Sequence, residues 1–156
     1  MQYEIKPMTA AHIPQLAALE QVCFSTPWTQ QALAEELSNG QAHFLVAQSD
    51  GEVLGYLGVQ EIAGEGYITN VAVFPKARGQ GVATALLDKA AQDAARRDCA
   101  FLTLEVRESN APAIALYEKM GYTQVGQRKN FYRDPPEHAR IYTNYLKDVK
   151  HEDPCH

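Results

Sequence analysis

Residues 70–87 read Asn-Val-Ala-Val-Phe-Pro-Lys-Ala-Arg-Gly-Gln-Gly-Val-Ala-Thr-Ala-Leu-Leu, and the rest of the chain is organised around this stretch. Its first part favours a strand that ends at Pro75, its middle holds Gly79 and Gly81, and good helix formers follow from Val82. At such a junction the first N–H groups of the helix lack helical partners and lie at the positive end of the helix dipole. The stretch therefore predicts a phosphate-binding turn, although its glycines alone are equally compatible with an ordinary strand-to-helix connection.

The amino-acid sequence of the turn excludes two familiar phosphate-binding motifs. No Gly-Lys-Ser/Thr follows at the Walker spacing, and the three glycines of a dinucleotide fingerprint are absent. What remains is Arg-x-x-Gly-x-Ala, from Arg78 to Ala83, with Lys76 and Arg78 adding positive charge. This pattern resembles the acetyl-CoA pyrophosphate loop of the GNAT N-acetyltransferase superfamily.

A second stretch carries the same resemblance. Residues 104–122 read Leu-Glu-Val-Arg-Glu-Ser-Asn-Ala-Pro-Ala-Ile-Ala-Leu-Tyr-Glu-Lys-Met-Gly-Tyr, which is similar to the GNAT signature Asn-x-x-Ala-x-x-Leu-Tyr-x-x-x-Gly-Phe. Three further segments are similar to the corresponding sequences of a bacterial subfamily that acetylates the N-terminus of small-subunit ribosomal protein 18. They are Leu-Glu-Val-Arg at residues 104–107, Phe24–Trp28 and Asn130–Tyr132. The resemblance spans about residues 3–146.

Length and composition limit the class of protein. The 156 residues, 46% of them hydrophobic, predict one domain over residues 1–146, and the charged, unperiodic residues 147–156 predict a disordered tail. Neither a signal peptide nor an apolar run long enough for a membrane span is present, so we expect a cytoplasmic protein without a membrane partner. The three cysteines suggest neither a disulfide framework nor a zinc site, and no metal-ligand spacing occurs elsewhere.

The net charge of −5 argues against a nucleic-acid partner, because that binding depends on clustered Lys and Arg. The charge is compatible with a cationic substrate. The sequence is silent on oligomeric state.

The pattern along the chain predicts an α+β fold, an α/β/α sandwich. We expect a mixed, mostly antiparallel sheet of six or seven strands with a central parallel pair, flanked by about four helices. Thr26 and Pro27 predict the N-cap and first residue of the second helix. The predicted strands are 2–6, 43–48, 53–61, 67–74, 101–106, 122–127 and 139–145, and the predicted helices are about 12–24, 27–37, 82–97 and 111–120.

Glu105 is the candidate general base. It interrupts the apolar strand Phe-Leu-Thr-Leu-Glu-Val, where a carboxylate is costly to desolvate unless it is exposed or used. Alternation places it opposite Leu104 and Val106 and beside Thr103. A polar residue on a solvated sheet face is the alternative; the resemblance implies a proton acceptor, acting directly or through a water.

Tyr117 and Asn110 each have a structural and a functional reading. Tyr117 has the pattern of a core aromatic residue, while the resemblance implies a proton donor to the departing CoA thiolate. Asn110 is a typical N-cap, and the resemblance adds a contact to acetyl-CoA. Trp28 fits a packing residue or a substrate contact. His138 and Arg140 depart from the subfamily pattern, which leaves the acceptor open, and His138 is either a surface histidine or a second base.

The resemblance implies direct attack of an unprotonated amine on the thioester, with acetyl-CoA as cosubstrate and no metal. A backbone N–H of the central strand would face the carbonyl oxygen, and the glycine turn would hold the pyrophosphate. The implied cofactor-binding residues are Val71, Ala72, Val73, Gly79, Gln80, Gly81, Val82, Ala83, Thr84 and Asn110.

Three functions follow from these patterns. An α-amine is about 2.4 pKa units easier to deprotonate than lysine, which suits a protein N-terminus as the acceptor and one weak base. The first function, which the resemblance implies, is N-α-acetylation of the ribosomal protein, whose acceptor residue in the subfamily is an N-terminal alanine. The second is acetylation of another amine, either a lysine side chain or a small molecule. The third is a module that binds CoA without turnover.

Overall fold

The computed structural model describes residues 2–146, and these form seven strands and four α-helices. The strands are β1 (Glu4–Pro7), β2 (Ala42–Ser49), β3 (Glu52–Ile62), β4 (Glu65–Val73), β5 (Phe101–Arg107), β6 (Thr123–Arg133) and β7 (Pro136–Tyr145). The helices are α1 (Ile13–Cys23), α2 (Gln30–Glu36), α3 (Val82–Arg96) and α4 (Ala111–Lys119). The predicted disordered tail, residues 147–156, lies outside the described residues.

The seven strands form one sheet in the order β1-β2-β3-β4-β5-β7-β6. β4 and β5 run parallel, with Gly66 opposite Leu102 and Tyr67 opposite Thr103. The pairs β1–β2, β2–β3, β5–β7 and β6–β7 are antiparallel. The predicted mixed sheet with a central parallel pair is confirmed.

The described chain divides into two compact units. The prediction of a single domain over residues 1–146 stays a prediction. One unit comprises the chain up to Gln60 together with Ile68–Ala90, and the other comprises Glu61–Tyr67 and the chain from Ala91 onward. No helix within residues 2–146 is both long and apolar enough to cross a membrane.

The first unit has its core where α1 and α2 pack with β2 and β3. α1 presents an apolar face to this core, with Ile13, Leu16 and Leu19 buried. Trp28 packs against Phe44, with ring centroids 6.0 Å apart. The core residues are Met8, Ile13, Leu16, Ala17, Leu19, Leu33, Phe44, Val46, Val53, Tyr56 and Ala72.

The predicted start of α2 is wrong. The helix begins at Gln30, and its N-cap is Thr29, whose hydroxyl accepts from the N–H of Ala32 at 3.1 Å. The N–H of Trp28 donates instead to the Glu20 carboxylate at 2.8 Å. This bond from α1 holds the backbone out of the helix and overrides the local Thr26-Pro27 signal.

Candidate active site

Both glycines of the turn have a backbone conformation that few other residues adopt. Gly79 and Gly81 have φ of +78° and +79°, in the left-handed region that glycine adopts without cost. A Cβ added at Gly79 would meet no atom within 4 Å, so there is open space beside the backbone. α3 begins directly after the turn, at Val82.

The first turn of α3 offers backbone donors to this space. The N–H of Ala85 donates to the Gly81 carbonyl at 2.9 Å, which begins the helical ladder. The N–H groups of Val82, Ala83 and Thr84 precede that bond and have no acceptor within the helix. A diphosphate needs several such donors close to an unobstructed backbone, so these residues fit the pyrophosphate of acetyl-CoA.

The cations near the turn are already paired. Lys76 forms an ion pair with Glu52. Arg78 donates from Nε to the Val73 carbonyl at 3.2 Å and from its terminal nitrogen to the Cys23 sulfur at 3.5 Å. Each charge thus has a local partner, and the backbone donors are the main feature that this turn presents to an anion.

The cofactor-binding residues predicted on the central strand, Val71 to Val73, lie on β4. Burial alternates along this strand, so Val71 and Val73 are on its half-exposed side and Ala72, at 6% exposure, is on its buried side. The Val73 carbonyl is the one that accepts from Arg78.

Glu105 lies where alternation predicts. Leu102, Leu104 and Val106 are buried on one face of β5, and Glu105 shares the other face with Thr103. Its side chain is 32% exposed, and one carboxylate oxygen is 3.0 Å from Nε of Arg128. The carboxylate is therefore both open to solvent and electrostatically paired.

The strand register explains why Arg128 meets Glu105. Glu105 pairs with Ile141 on β7, and Arg107 pairs with Ala139, which in turn pairs with Arg128 on β6. Because directly paired residues share a face, these side chains project to the same side of the sheet. Local sequence carries no signal for this contact, since 23 positions separate the two residues.

Tyr117 is buried on α4, at 8% exposure. Burial, together with the nearby phenol of Tyr132, raises the pKa of Tyr117 to about 12. The ring also packs against Tyr122, with centroids 5.8 Å apart. Tyr117 consequently keeps its proton throughout the neutral range.

Tyr132 is a further residue of this region, and the sequence analysis does not select it as a site residue. Burial and then the charge of Glu105 raise its pKa to about 12, and its phenol also acts on Tyr117. Its ring stacks under the Arg107 guanidinium, 4.2 Å from carbon to ring centroid. The only sequence signal was its place in the Asn130–Tyr132 segment.

Arg107 fixes the hairpin that carries Tyr132. Its terminal nitrogens donate to the carbonyls of Pro135 at 2.8 Å and Asp134 at 3.0 Å, and one also reaches the Glu137 carboxylate at 3.2 Å. The other Glu137 oxygen accepts from the Ser109 N–H at 2.6 Å. The Ser109 and Arg107 bonds, in that order of effect, lower the pKa of Glu137.

Asn110 is the N-cap of α4, as predicted. Its side-chain oxygen accepts from the N–H of Ala113 at 3.2 Å. His138 is not positioned as a second base, because its Nδ1 accepts from the backbone N–H of Asn130 at 2.9 Å. Within residues 2–146, no group of three or more His, Cys, Asp and Glu side chains is placed to hold a metal ion.

Comparison with known proteins assigns this arrangement to a family. Residues 13–122 match the model of the acetyltransferase (GNAT) family. A Bacillus subtilis relative, provisionally described as a [ribosomal protein bS18]-alanine N-acetyltransferase, is 38% identical over 138 residues, covering 88% of this chain and 91% of its own. The N-alpha-acetyltransferase RimI of Mycobacterium tuberculosis is 33% identical over 135 residues, covering 83% and 84%.

A solved structure agrees with both relatives. The ribosomal-protein-S18-alanine N-acetyltransferase of Escherichia coli superimposes with a TM-score of 0.85 at 29% identity, over 93% of this chain and 94% of that one. The fold predicted from the two signatures is confirmed.

Proposed function

The chain belongs to the acetyltransferase (GNAT) family and is an N-acetyltransferase, and we propose that it acetylates the N-terminal alanine of small-subunit ribosomal protein 18. Relatives described by that activity or as RimI support the substrate. GNAT acetyltransferases use acetyl-CoA, which would supply the activated acetyl group here. The residues of the glycine turn, Gly79 to Thr84, and Asn110 would hold it, with Val71 to Val73 along its pantetheine arm.

One observation carries the catalytic assignment: the Glu105 side chain is 32% exposed on β5, on the face opposite the buried Leu104 and Val106. Glu105 would accept the proton that the attacking amine loses, directly or through a water. The backbone N–H groups of Val71 to Val73 are the candidate donors to the thioester oxygen.

Tyr117 would assist the leaving sulfur by hydrogen bonding. Its pKa of about 12 lies about 3.5 units above the reference value of a thiol, so complete proton transfer would be uphill by about 5 kcal/mol. A hydrogen bond from its hydroxyl to the developing negative charge avoids that cost. We therefore assign Tyr117 a donor role in which the proton is shared.

Substitution of Glu105 tests the catalytic assignment. Glu105→Gln keeps the shape of the side chain but cannot accept a proton, so we expect kcat to fall by about 10²–10⁴ while acetyl-CoA still binds. Glu108→Gln, an exposed site three residues along, is the matched control. An undiminished rate in Glu105→Gln removes this residue from the mechanism.

A panel of acceptors tests the substrate. We expect acetylation, read by intact mass, of a peptide with the N-terminus of the ribosomal protein, and none of the same peptide with a blocked α-amine. Preferential acetylation of lysine peptides or small polyamines would establish a different amine as the substrate. Acetyl-CoA binding without thiol release for any acceptor would instead indicate a binding module.

A further inference from the structure

One of the two irregularities in the pairing of β6 lies opposite His138. Arg128 pairs with Ala139 and Tyr132 pairs with Glu137, so residues 129–131 of β6 face His138 alone. Asn130, at the centre of this bulge, has φ of +54°, a left-handed conformation that few residues other than glycine and asparagine adopt readily.

The imidazole of His138 supplies the bond that the bulge removes from the strand ladder. Its Nδ1 accepts from the Asn130 N–H at 2.9 Å. An acceptor at Nδ1 requires that this nitrogen carry no proton, so the neutral ring with its proton on Nε2 makes the bond and the charged ring cannot. The backbone of His138 is held separately, since its carbonyl accepts from the Glu108 N–H at 3.2 Å.

The two residues that flank the bulge both act on the candidate site. Arg128, before it, pairs with Glu105 at 3.0 Å. Tyr132, after it, stacks on Arg107 and interacts with Glu105. A change in the path of residues 129–131 therefore moves both side chains relative to the carboxylate.

We propose that His138 is a positioning residue: its unprotonated Nδ1 holds the β6 bulge and thereby sets Arg128 and Tyr132 against Glu105. The proposal rests on the proposed function, because it takes Glu105 as the base. It predicts that the charged imidazole leaves the site active but less well arranged. Histidine is the side chain that ordinarily gains a proton between pH 5 and 8.

Several charged groups lie around the bulge. Those around His138 are Glu137 and Arg140 on β7, Arg128 and Lys129 on β6, and Arg107 and Glu108 at the end of β5. Carboxylates change charge near pH 4, and lysine and arginine above pH 10. Tyr132 stays neutral, with its pKa near 12.

The test uses two substitutions. In His138→Asn the side-chain oxygen takes the place of Nδ1 as an acceptor and does not titrate, whereas His138→Ala has no acceptor at any pH. The measured quantity is kcat/KM of the wild type divided by kcat/KM of His138→Asn, with this ratio set to one at pH 8. The titration of the acceptor amine and of the base affects both enzymes equally and therefore cancels in the ratio. We expect this ratio to fall about fivefold by pH 5.5, the fold-change that corresponds to one hydrogen bond.

Three further measurements complete the test. His138→Ala should show a comparable loss already at pH 8, and the same ratio measured for His43→Asn, a histidine on β2, should stay flat. In ¹⁵N spectra the Asn130 amide should shift with pH in the wild type and not in His138→Asn.

The contrary outcomes separate the two proposals. An active wild-type enzyme with a flat rate ratio, or an Asn130 amide that does not titrate, overturns the role of His138. A wild-type chain that acetylates no N-terminus, or a Glu105→Gln variant with full activity, overturns the proposed function on which that role rests.

Discussion

Removing the hydroxyl of Tyr56 should destabilise the protein substantially, because that hydroxyl satisfies a buried carboxylate. Glu20 is 1% exposed on α1, and one of its oxygens accepts from the Tyr56 hydroxyl at 2.6 Å. The other oxygen accepts from the Trp28 N–H at 2.8 Å. Burial and then the bond to Glu20 raise the pKa of Tyr56, so the phenol stays protonated and can always donate.

The expected magnitude follows from these contacts. A hydrogen bond to a charged group contributes about 1.5–3 kcal/mol to stability. The Asn70 amide donates to the same hydroxyl at 2.9 Å and would lose that acceptor, although it also faces Glu20 at 3.4 Å. Tyr56→Phe should therefore cost about 2–4 kcal/mol, out of the about 5–15 kcal/mol typical of a domain. The melting temperature should fall by about 5–15 °C.

Two other tyrosines provide matched controls for the same chemical change. The Tyr67 hydroxyl bonds Glu65 at 2.7 Å on the surface, so Tyr67→Phe should change stability by less than about 0.5 kcal/mol. The Tyr122 hydroxyl is buried without a partner among residues 2–146. Tyr122→Phe should be neutral or stabilising, because it removes an unsatisfied polar group.

Urea denaturation followed by circular dichroism at neutral pH measures all three changes. Combining Tyr56→Phe with Glu20→Gln gives the coupling energy directly, expected at about 1.5–3 kcal/mol. Trp28 is the only tryptophan, so its emission reports whether the segment held by Glu20 has moved. A loss in Tyr56→Phe no larger than that in Tyr67→Phe, or a coupling near zero, would refute the assignment of this network.

Three further changes have defined outcomes. Gly79→Ala should lower the free energy of unfolding by about 1–2 kcal/mol, because the φ of this residue is +78°, and it should weaken acetyl-CoA binding measured by calorimetry. Gly40→Ala is the control and should not destabilise the protein, since φ at Gly40 is not positive and the space around it is open. Arg107→Lys should lower the free energy of unfolding, measured in urea, by about 2–3 kcal/mol, because lysine lacks the planar guanidinium that bonds two carbonyls and stacks on an aromatic ring. Arg133→Lys, at an exposed position, is the control and should leave the free energy of unfolding almost unchanged. The pKa of Tyr117 rises from about 10 in the unfolded chain to about 12 in the folded protein, so its contribution to stability is complete below pH 10 and is lost as the pH rises to 12. Over that interval the free energy of unfolding of the wild type should fall by up to about 3 kcal/mol relative to that of Tyr117→Phe. Equal pH dependence of the two unfolding free energies would contradict this prediction.

Several parts of the site could be predicted because their signals are local. The turn at Gly79 and Gly81 follows from two glycines between a strand pattern and a helix pattern, and the N-cap role of Asn110 follows from its place before Ala111-Pro112. The side on which Glu105 lies follows from alternation along β5. Each of these depends on a few neighbouring residues.

Other predictions were wrong or incomplete, because a residue far away in the sequence determines the structure at those positions. The local sequence predicts that α2 starts at Pro27, but the Trp28 N–H donates to the Glu20 carboxylate and the helix begins only at Gln30. β6 was ended at residue 127, although it continues to Arg133 after two irregularities in pairing.

The sequence alone determined which segments are strands or helices, the glycine turn and the family resemblance, since backbone preference and periodicity act within a few residues. Only the tertiary structure decided that Arg128 pairs with Glu105, that Tyr132 stacks on Arg107, and that the His138 side chain accepts a hydrogen bond from the β6 bulge. These contacts depend on strand register, in which a shift of one residue turns every side chain to the opposite face. Register is fixed by pairing between segments far apart in the chain, and no local pattern records it.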